Sequence, residues 1–185
     1  MLRSLAWVLG VVAALAVVGT SATALVVRDP APLALHGAGV RARIPAQHWR
    51  IAPGDYAIAY PGGLQVLGPA VYREGWCDAL PTSSRAFAGF VARAGRSPRA
   101  IAEQWGAAIT RDRIAGRAVG PVEVETTGAR RADADLLVPE GPCNPPREHL
   151  TVVTMGDQAL VLVRDLDVDG ALPADDAEAI VGSLR

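Results

Sequence analysis

Asp165-Leu166-Asp167-Val168-Asp169-Gly170 is the segment whose spacing comes nearest to a known chemistry. Carboxylates stand at loop positions 1, 3 and 5, Gly at 6, Leu172 at 8 and Asp176 at 12, the order of a calcium loop. A hard cation requires such a cluster of short oxygen ligands. Three features oppose calcium. The preceding residues read as a strand rather than an incoming helix, Pro173 occupies position 9, and Asp176 is shorter than the usual bidentate Glu. The plain alternative is an acidic surface loop whose carboxylates cap the following helix, so Asp165, Asp167, Asp169 and Asp176 form a weak candidate metal site.

The other reactive side chains are scattered. His36, His48 and His149 share no ligand spacing. Ser83-Ser84 has no neighbouring base, and a serine or cysteine nucleophile needs one. No Gly-x-Ser-x-Gly elbow, P-loop or Gly-x-Gly-x-x-Gly occurs. Asp133 and Asp135 lie on one strand face, which reads as solvated. No catalytic residue and no cofactor is therefore expected. Trp49, Trp76 and Trp105, with Tyr56, Tyr60 and Tyr72, supply the bulky rings. Trp105 reads as core and Trp76 as a neighbour of the cysteine chemistry. An exposed groove of Trp and Tyr would mark a ligand or partner site.

Cys77 and Cys143 are the two cysteines. Two thiols in an exported domain most often form a disulfide. Neither belongs to a Cys-x-x-Cys, and both sit in turn-like sequence, Gly75-Trp76-Cys77-Asp78 and Gly141-Pro142-Cys143-Asn144. A staple between two loops is the expected arrangement. Two buried thiols are the alternative.

Export is inferred from the first residues. Leu5 to Val27 carries no charge, with Arg3 before it and Arg28 after it. As a helix this run is about 34 Å long, enough for a hydrocarbon core of roughly 30 Å. Residues 1–28 therefore read as a membrane anchor, or as a signal peptide cleaved near Ala24 at the small-residue site Ala22-Thr23-Ala24. Arg3 and the free amine against Arg28 favour an inside amino terminus, which places the rest outside the cytoplasm. The lipid bilayer is the expected partner of residues 5–27. Residues 29–38, opening Asp29-Pro30-Ala31-Pro32, read as a linker, and residues 39–185 as one extracytoplasmic domain.

Composition narrows the rest. The chain has 185 residues and a net charge of −1, and all 18 basic residues are Arg. That profile matches GC-rich coding, and it lacks the basic face that nucleic acid requires. Alternation predicts strands at Val40–Ile44, Tyr56–Tyr60, Leu64–Leu67, Val122–Thr126, Arg130–Val138, Leu150–Met155 and Ala159–Val163. Gly156-Asp157 reads as a tight connection. Ser83–Gly95 fits a helix or a strand. Ser97 as N-cap and Pro98 in the first turn open a helix carrying Ile101, Trp105 and Ala108. Pro173 opens a second, with Asp175, Asp176 and Glu178 at its positive end. Strands, helix, strands, helix is an α+β order, with a mostly antiparallel sheet and helices packed on it.

Several spaced residues carry a resemblance. They are Ile44-Pro45 then His48-Trp49, Tyr72 before Trp76-Cys77, Ser84-Arg85-Ala86, the helix with Trp105, a second Cys, and Ile180-Val181-Gly182-Ser183-Leu184-Arg185. With the amino-terminal apolar run, they resemble uncharacterised membrane-anchored extracytoplasmic domains of high-GC Gram-positive bacteria. The resemblance covers residues 39–185. It implies a PsbP-like α/β sandwich and an envelope location, and it transfers no catalytic residue. The expected function is a non-enzymatic module that binds a small ligand or an envelope protein. A calcium-binding module using the Asp165–Asp169 loop and an enzyme with a dispersed site are the alternatives.

Overall fold

The computed structural model describes residues 30–60, 64–112 and 115–185. The proposed membrane segment lies outside the described residues. Among those described, no helix is long and apolar enough to cross a membrane.

Seven strands form one antiparallel sheet. In spatial order they are β3 (Trp49–Ile51), β6 (Ala70–Tyr72), β7 (Ala86–Ala92), β11 (Gln158–Leu166), β10 (Arg147–Met155), β9 (Arg131–Leu137) and β8 (Glu125–Thr127). Two further hairpins stand apart: β1 (Leu33–Gly37) with β2 (Val40–Ile44), and β4 (Ala57–Tyr60) with β5 (Leu64–Leu67). The helices are α1 (Pro98–Ile109) and α2 (Ala174–Gly182). Ser97 caps α1 as its sequence implies, its Oγ accepting the Ala100 N–H at 3.1 Å. Asp175 and Asp176 occupy the first turn of α2.

Both faces of the sheet are covered. On one, α1 and the β4–β5 hairpin bury Leu64, Val66, Phe87, Ile101, Trp105, Leu136, Leu150, Val152 and Val161. On the other, β1–β2 and α2 bury Leu35, Ile44, Trp49, Tyr72, Leu160, Leu162 and Ile180. The two sets alternate along β11 because successive strand residues point to opposite faces. A strand covered on both sides must be apolar throughout, which explains the run Ala159–Val163.

Several elements differ from the sequence expectation. Leu33–Gly37, read as linker, forms β1 and pairs with β2, so the compact unit runs Ala31–Arg185. Apolar Leu33 and Leu35 give this hairpin its inner face. Ser83–Gly95 resolves to a strand: β7 lies between β6 and β11, and its residues Ala86, Phe87 and Ala88 are buried. Val122–Val124 is not strand, and β8 is confined to three exposed residues. The three-residue β3 and β6 are too short for alternation to reveal.

Gly89 lets the β4–β5 hairpin reach the sheet. A Cβ there would stand 1.9 Å from Val66 Cγ1. We predict that Gly89→Ala destabilises the domain by about 1–3 kcal/mol through overpacking, read by chemical denaturation. Val66→Ala in the same chain should recover part of that loss. Equal stability of Gly89→Ala and wild type would refute the close approach.

Candidate functional site

The tight turn at Gly156-Asp157 sets the register of β10 against β11. Gly156 takes φ 57°, which a residue without Cβ adopts cheaply. Met155 pairs with Gln158, and seven steps further out Glu148 pairs with Asp165. Directly opposed residues share a face, so two carboxyl groups stand side by side where the strands are otherwise apolar. Their face is the one that α1 and the β4–β5 hairpin cover.

The pair is not symmetrical. Asp165 is buried and accepts a hydrogen bond from Arg85 Nη1 at 3.0 Å. The Arg85 guanidinium in turn lies 3.5 Å above the Trp76 ring, so Trp76, expected beside the disulfide, is a cation–π platform. Glu148 has no such partner. The residue is half-buried, yet its Oε2 is closed off from solvent and makes no hydrogen bond. Burial, then the charge of Asp165, pushes its carboxyl up to about 8. Burial also pushes Asp165 up to about 6, against the opposing pull of Arg85. At neutral pH, Asp165 is the ionised member and Glu148 the protonated one.

A cavity of about 300 Å³ opens beside this pair, lined among others by Tyr56, Ile58, Tyr60, Ser84, Phe87 and Asn144. A second, of about 310 Å³, shares Tyr60, Leu80, Asn144 and Glu148 with it and continues to Ile109 and Val138. The two form one groove with Glu148 in the shared wall. Its rim is held covalently by the Cys77–Cys143 disulfide, with Cα atoms 5.7 Å apart. The bridge joins the loop after β6 to the loop after β9. Ser83 shapes the first loop, its Oγ accepting the Cys77 N–H at 3.0 Å. Asn144 closes the second by donating to the Pro139 carbonyl at 2.7 Å.

The acidic loop is organised otherwise than a calcium site. Asp165 faces Arg85, whereas Asp167 accepts from Arg147 at 3.3 Å. Asp169 and Asp176 are exposed. Among the described residues, no group of three His, Cys, Asp or Glu side chains could hold a metal ion. His36 and His48 are exposed and apart from one another.

On the opposite face, Asp133, Asp135 and His149 enter an ion network. Arg131 donates to both Asp133 oxygens, at 2.7 and 3.0 Å, and to Glu178 of α2 at 2.7 and 2.6 Å. Thr151 Oγ1 donates to Asp133 at 2.8 Å, and His149 Nδ1 lies 2.6 Å from Asp135. This network ties α2 to β9. Beside it Arg164 Nε is buried without a hydrogen-bond partner, as are Glu148 Oε2, Thr110 Oγ1 and Trp76 Nε1 elsewhere in the domain.

Residue types and spacing single out neither Glu148 nor, outside the resemblance, Arg85. The available signal was the turn: once Gly156-Asp157 is a two-residue hairpin, Glu148 must oppose Asp165.

These features define a class: a two-faced antiparallel sheet covered by helices and hairpins, with one acidic groove clipped by a disulfide. The chain belongs to the family described as Domain of unknown function (DUF8017), whose model matches residues 34–185. No curated protein matches it.

Two predictions arise here. Reducing the disulfide, or replacing Cys77 and Cys143 by Ser, should cost about 2–5 kcal/mol, measured by denaturant unfolding with and without reductant. The second concerns pH. Asp133 and Glu178 are held below their ordinary values by Arg131 and its neighbours. Their stabilisation is complete above about 4.5 and is lost as the solution becomes more acid. His149 is raised above 6.5, chiefly by its bond to Asp133, so its contribution is complete below 6.5 and fades as pH rises. Glu148 and Asp165, also raised, are costly to ionise, and that cost grows from mildly acid pH to about 8. Stability should therefore peak between about pH 4.5 and 6.5. Glu148→Gln should match wild type at pH 5 and exceed it by about 1–3 kcal/mol at pH 8.5. Parallel unfolding curves for the two proteins across this range would refute the assignment.

Proposed function

We propose that this chain is a membrane-tethered, extracytoplasmic binding module that holds a small ligand in the groove at Glu148 without transforming it. The observation that carries the reading is the Glu148 Oε2, closed off from water beside a cavity and bonded to nothing. A buried acceptor left unsatisfied costs about 1–3 kcal/mol, and a donor brought by a ligand removes that cost.

Binding is favoured over catalysis by the company Glu148 keeps. Asp165 is committed to Arg85, Ser83 Oγ accepts the Cys77 N–H, and no His lines the groove among the described residues. Ser84 and Thr82 line the cavity, but among the described residues no His stands beside them to activate a hydroxyl, which favours recognition over turnover. Calcium is disfavoured by the separate ion pairs of Asp165 and Asp167.

Location rests on different support. Leu5–Val27 is long and apolar enough to enter a bilayer. A disulfide is characteristic of oxidising compartments. The layering, with helices and hairpins on both faces of an antiparallel sheet, supports the PsbP-like sandwich of extracytoplasmic proteins from high-GC Gram-positive bacteria.

Two experiments test this. In intact cells bearing the full chain with a carboxyl-terminal tag, external protease should remove the tag; protection until lysis would overturn the location. A thermal-shift screen of water-soluble amines, carboxylates, sugars and short peptides should find a compound that stabilises the full chain in micelles but not its Glu148→Gln variant. If no compound discriminates between the two, the binding reading fails.

A further inference from the structure

The groove has an unequal charge inventory. Among the described residues its lining includes the acids Glu148, Asp165 and Glu140 and the cation Arg111, and Asp165 is already paired with Arg85. Arg85, behind Asp165, donates to that carboxylate and stacks on Trp76. Arg111 donates to the Gly116 carbonyl at 3.4 Å. An anionic ligand would therefore meet like charge at the Glu148–Asp165 pair. The wall beside Glu148 is apolar: Ile58, Tyr60 and Phe87 on one side, Leu80 and Val138 on the other. Leu80 is 46% exposed where the two cavities meet. The Tyr60 ring is braced edge-on by Trp105 at 5.5 Å and tilted against Phe87 at 6.3 Å, so this wall is formed before any ligand arrives.

What is missing is a hydrogen-bond donor. A bare metal ion is a poor fit, because it needs several free oxygen ligands and the groove offers one uncommitted buried carboxyl oxygen. A compact organic cation supplies donors and charge from one atom group, and its stem can use the apolar wall. We propose that the groove binds the ammonium or guanidinium end of a small amine, with Glu148 as its counter-ion and the Tyr60–Leu80 wall holding its apolar stem. This inference rests on the binding reading above and names the ligand class for the same site.

A thermodynamic signature accompanies such binding. Free, Glu148 keeps its proton at neutral pH because burial and the neighbouring Asp165 disfavour a second negative charge. The other groups facing it are Tyr60 on β4, Glu140 in the disulfide-clipped loop, and Arg111 and Asp112 after α1. Bound, the ligand cation compensates the charge. The carboxylic acid loses its proton to solvent, and the ligand N–H donates to Glu148 Oε2. One proton is released for each amine bound below the pH at which Glu148 ionises, and none well above it.

The test uses the full chain in micelles, with benzylamine and agmatine as probes and benzyl alcohol and benzoate as neutral and anionic controls. Calorimetric titration at pH 7 in phosphate and in HEPES, buffers of different ionisation enthalpy and neither a primary amine, reads the proton count directly. The expected result is binding of an amine with close to one proton released. Its affinity should rise about tenfold per pH unit from pH 6 to 7.5 and level off above pH 8.5. Controls should bind at least a hundredfold more weakly. Glu148→Gln, checked for folding by its melting curve, should lose tenfold or more in amine affinity and release no proton. The inference is overturned if neither amine binds, if benzyl alcohol or benzoate binds as well, or if no proton appears. Should the earlier screen meanwhile find a Glu148-dependent ligand that is not a cation, the binding reading survives and the amine assignment alone falls. If nothing occupies the groove, both fall.

Discussion

Nine residues of β10 lie in unbroken register against nine of β11, and almost every other feature of the domain follows from that ladder. It stands in the middle of the sheet, flanked by β9 on one side and β7 on the other. Its alternation sorts side chains to two faces, each of which then needs its own cover. The helices and the two small hairpins supply that cover, one of each per face. A slip of one residue would turn Leu160 and Leu162 toward the wrong layer and carry Glu148 away from Asp165. Such a slip would expose buried apolar surface, at roughly 25 cal/mol per Å². The packing of the core is thus what keeps two carboxyl groups side by side.

The two faces of this ladder illustrate how charge is accommodated in a sheet. On the α2 face, Asp133, Asp135 and Glu178 each have an arginine at hydrogen-bond distance, and the arrangement binds helix to strand. On the α1 face, one carboxyl group of a pair has its arginine and the other has nothing. Paired groups of the first kind are common structural devices. An unpaired buried oxygen beside a cavity is costly to keep and is a familiar mark of recognition sites. The disulfide contributes by holding both rim loops, which carry Pro and Gly. A groove whose walls are fixed in advance loses less entropy on binding than one that must be ordered by its ligand.

Local rules read much of this architecture without assistance. The Ser97 cap, the acidic first turn of α2, the alternation of Val40–Ile44 and Arg131–Leu137, and the apolar run of β11 are each decided by neighbours a few residues apart. Leu33–Gly37 escaped because prolines precede it and its alternation is brief; only β2 lying alongside makes it a strand. Ser83–Gly95 was undecidable because Phe87, Phe90 and Val91 suit either period, and the choice fell to the slot between β6 and β11. The acidic loop misdirected attention for a related reason. Spacing describes how far apart Asp165 and Asp167 are along the chain, but Arg85 and Arg147 decide where each carboxylate points.

From residue order alone came the α+β class and the cysteines as a staple between loops. These depend on composition, short-range periodicity and turn chemistry, which act within about ten residues. The groove belongs to the tertiary structure. Its walls come from β4, the loop after β6, the end of α1, the loop after β9 and the paired ends of β10 and β11. The protonation of Glu148 depends on burial and on a charge seventeen positions away in sequence, brought opposite by strand pairing. Desolvation and Coulomb forces act through space rather than along the chain, so only the folded arrangement could set them.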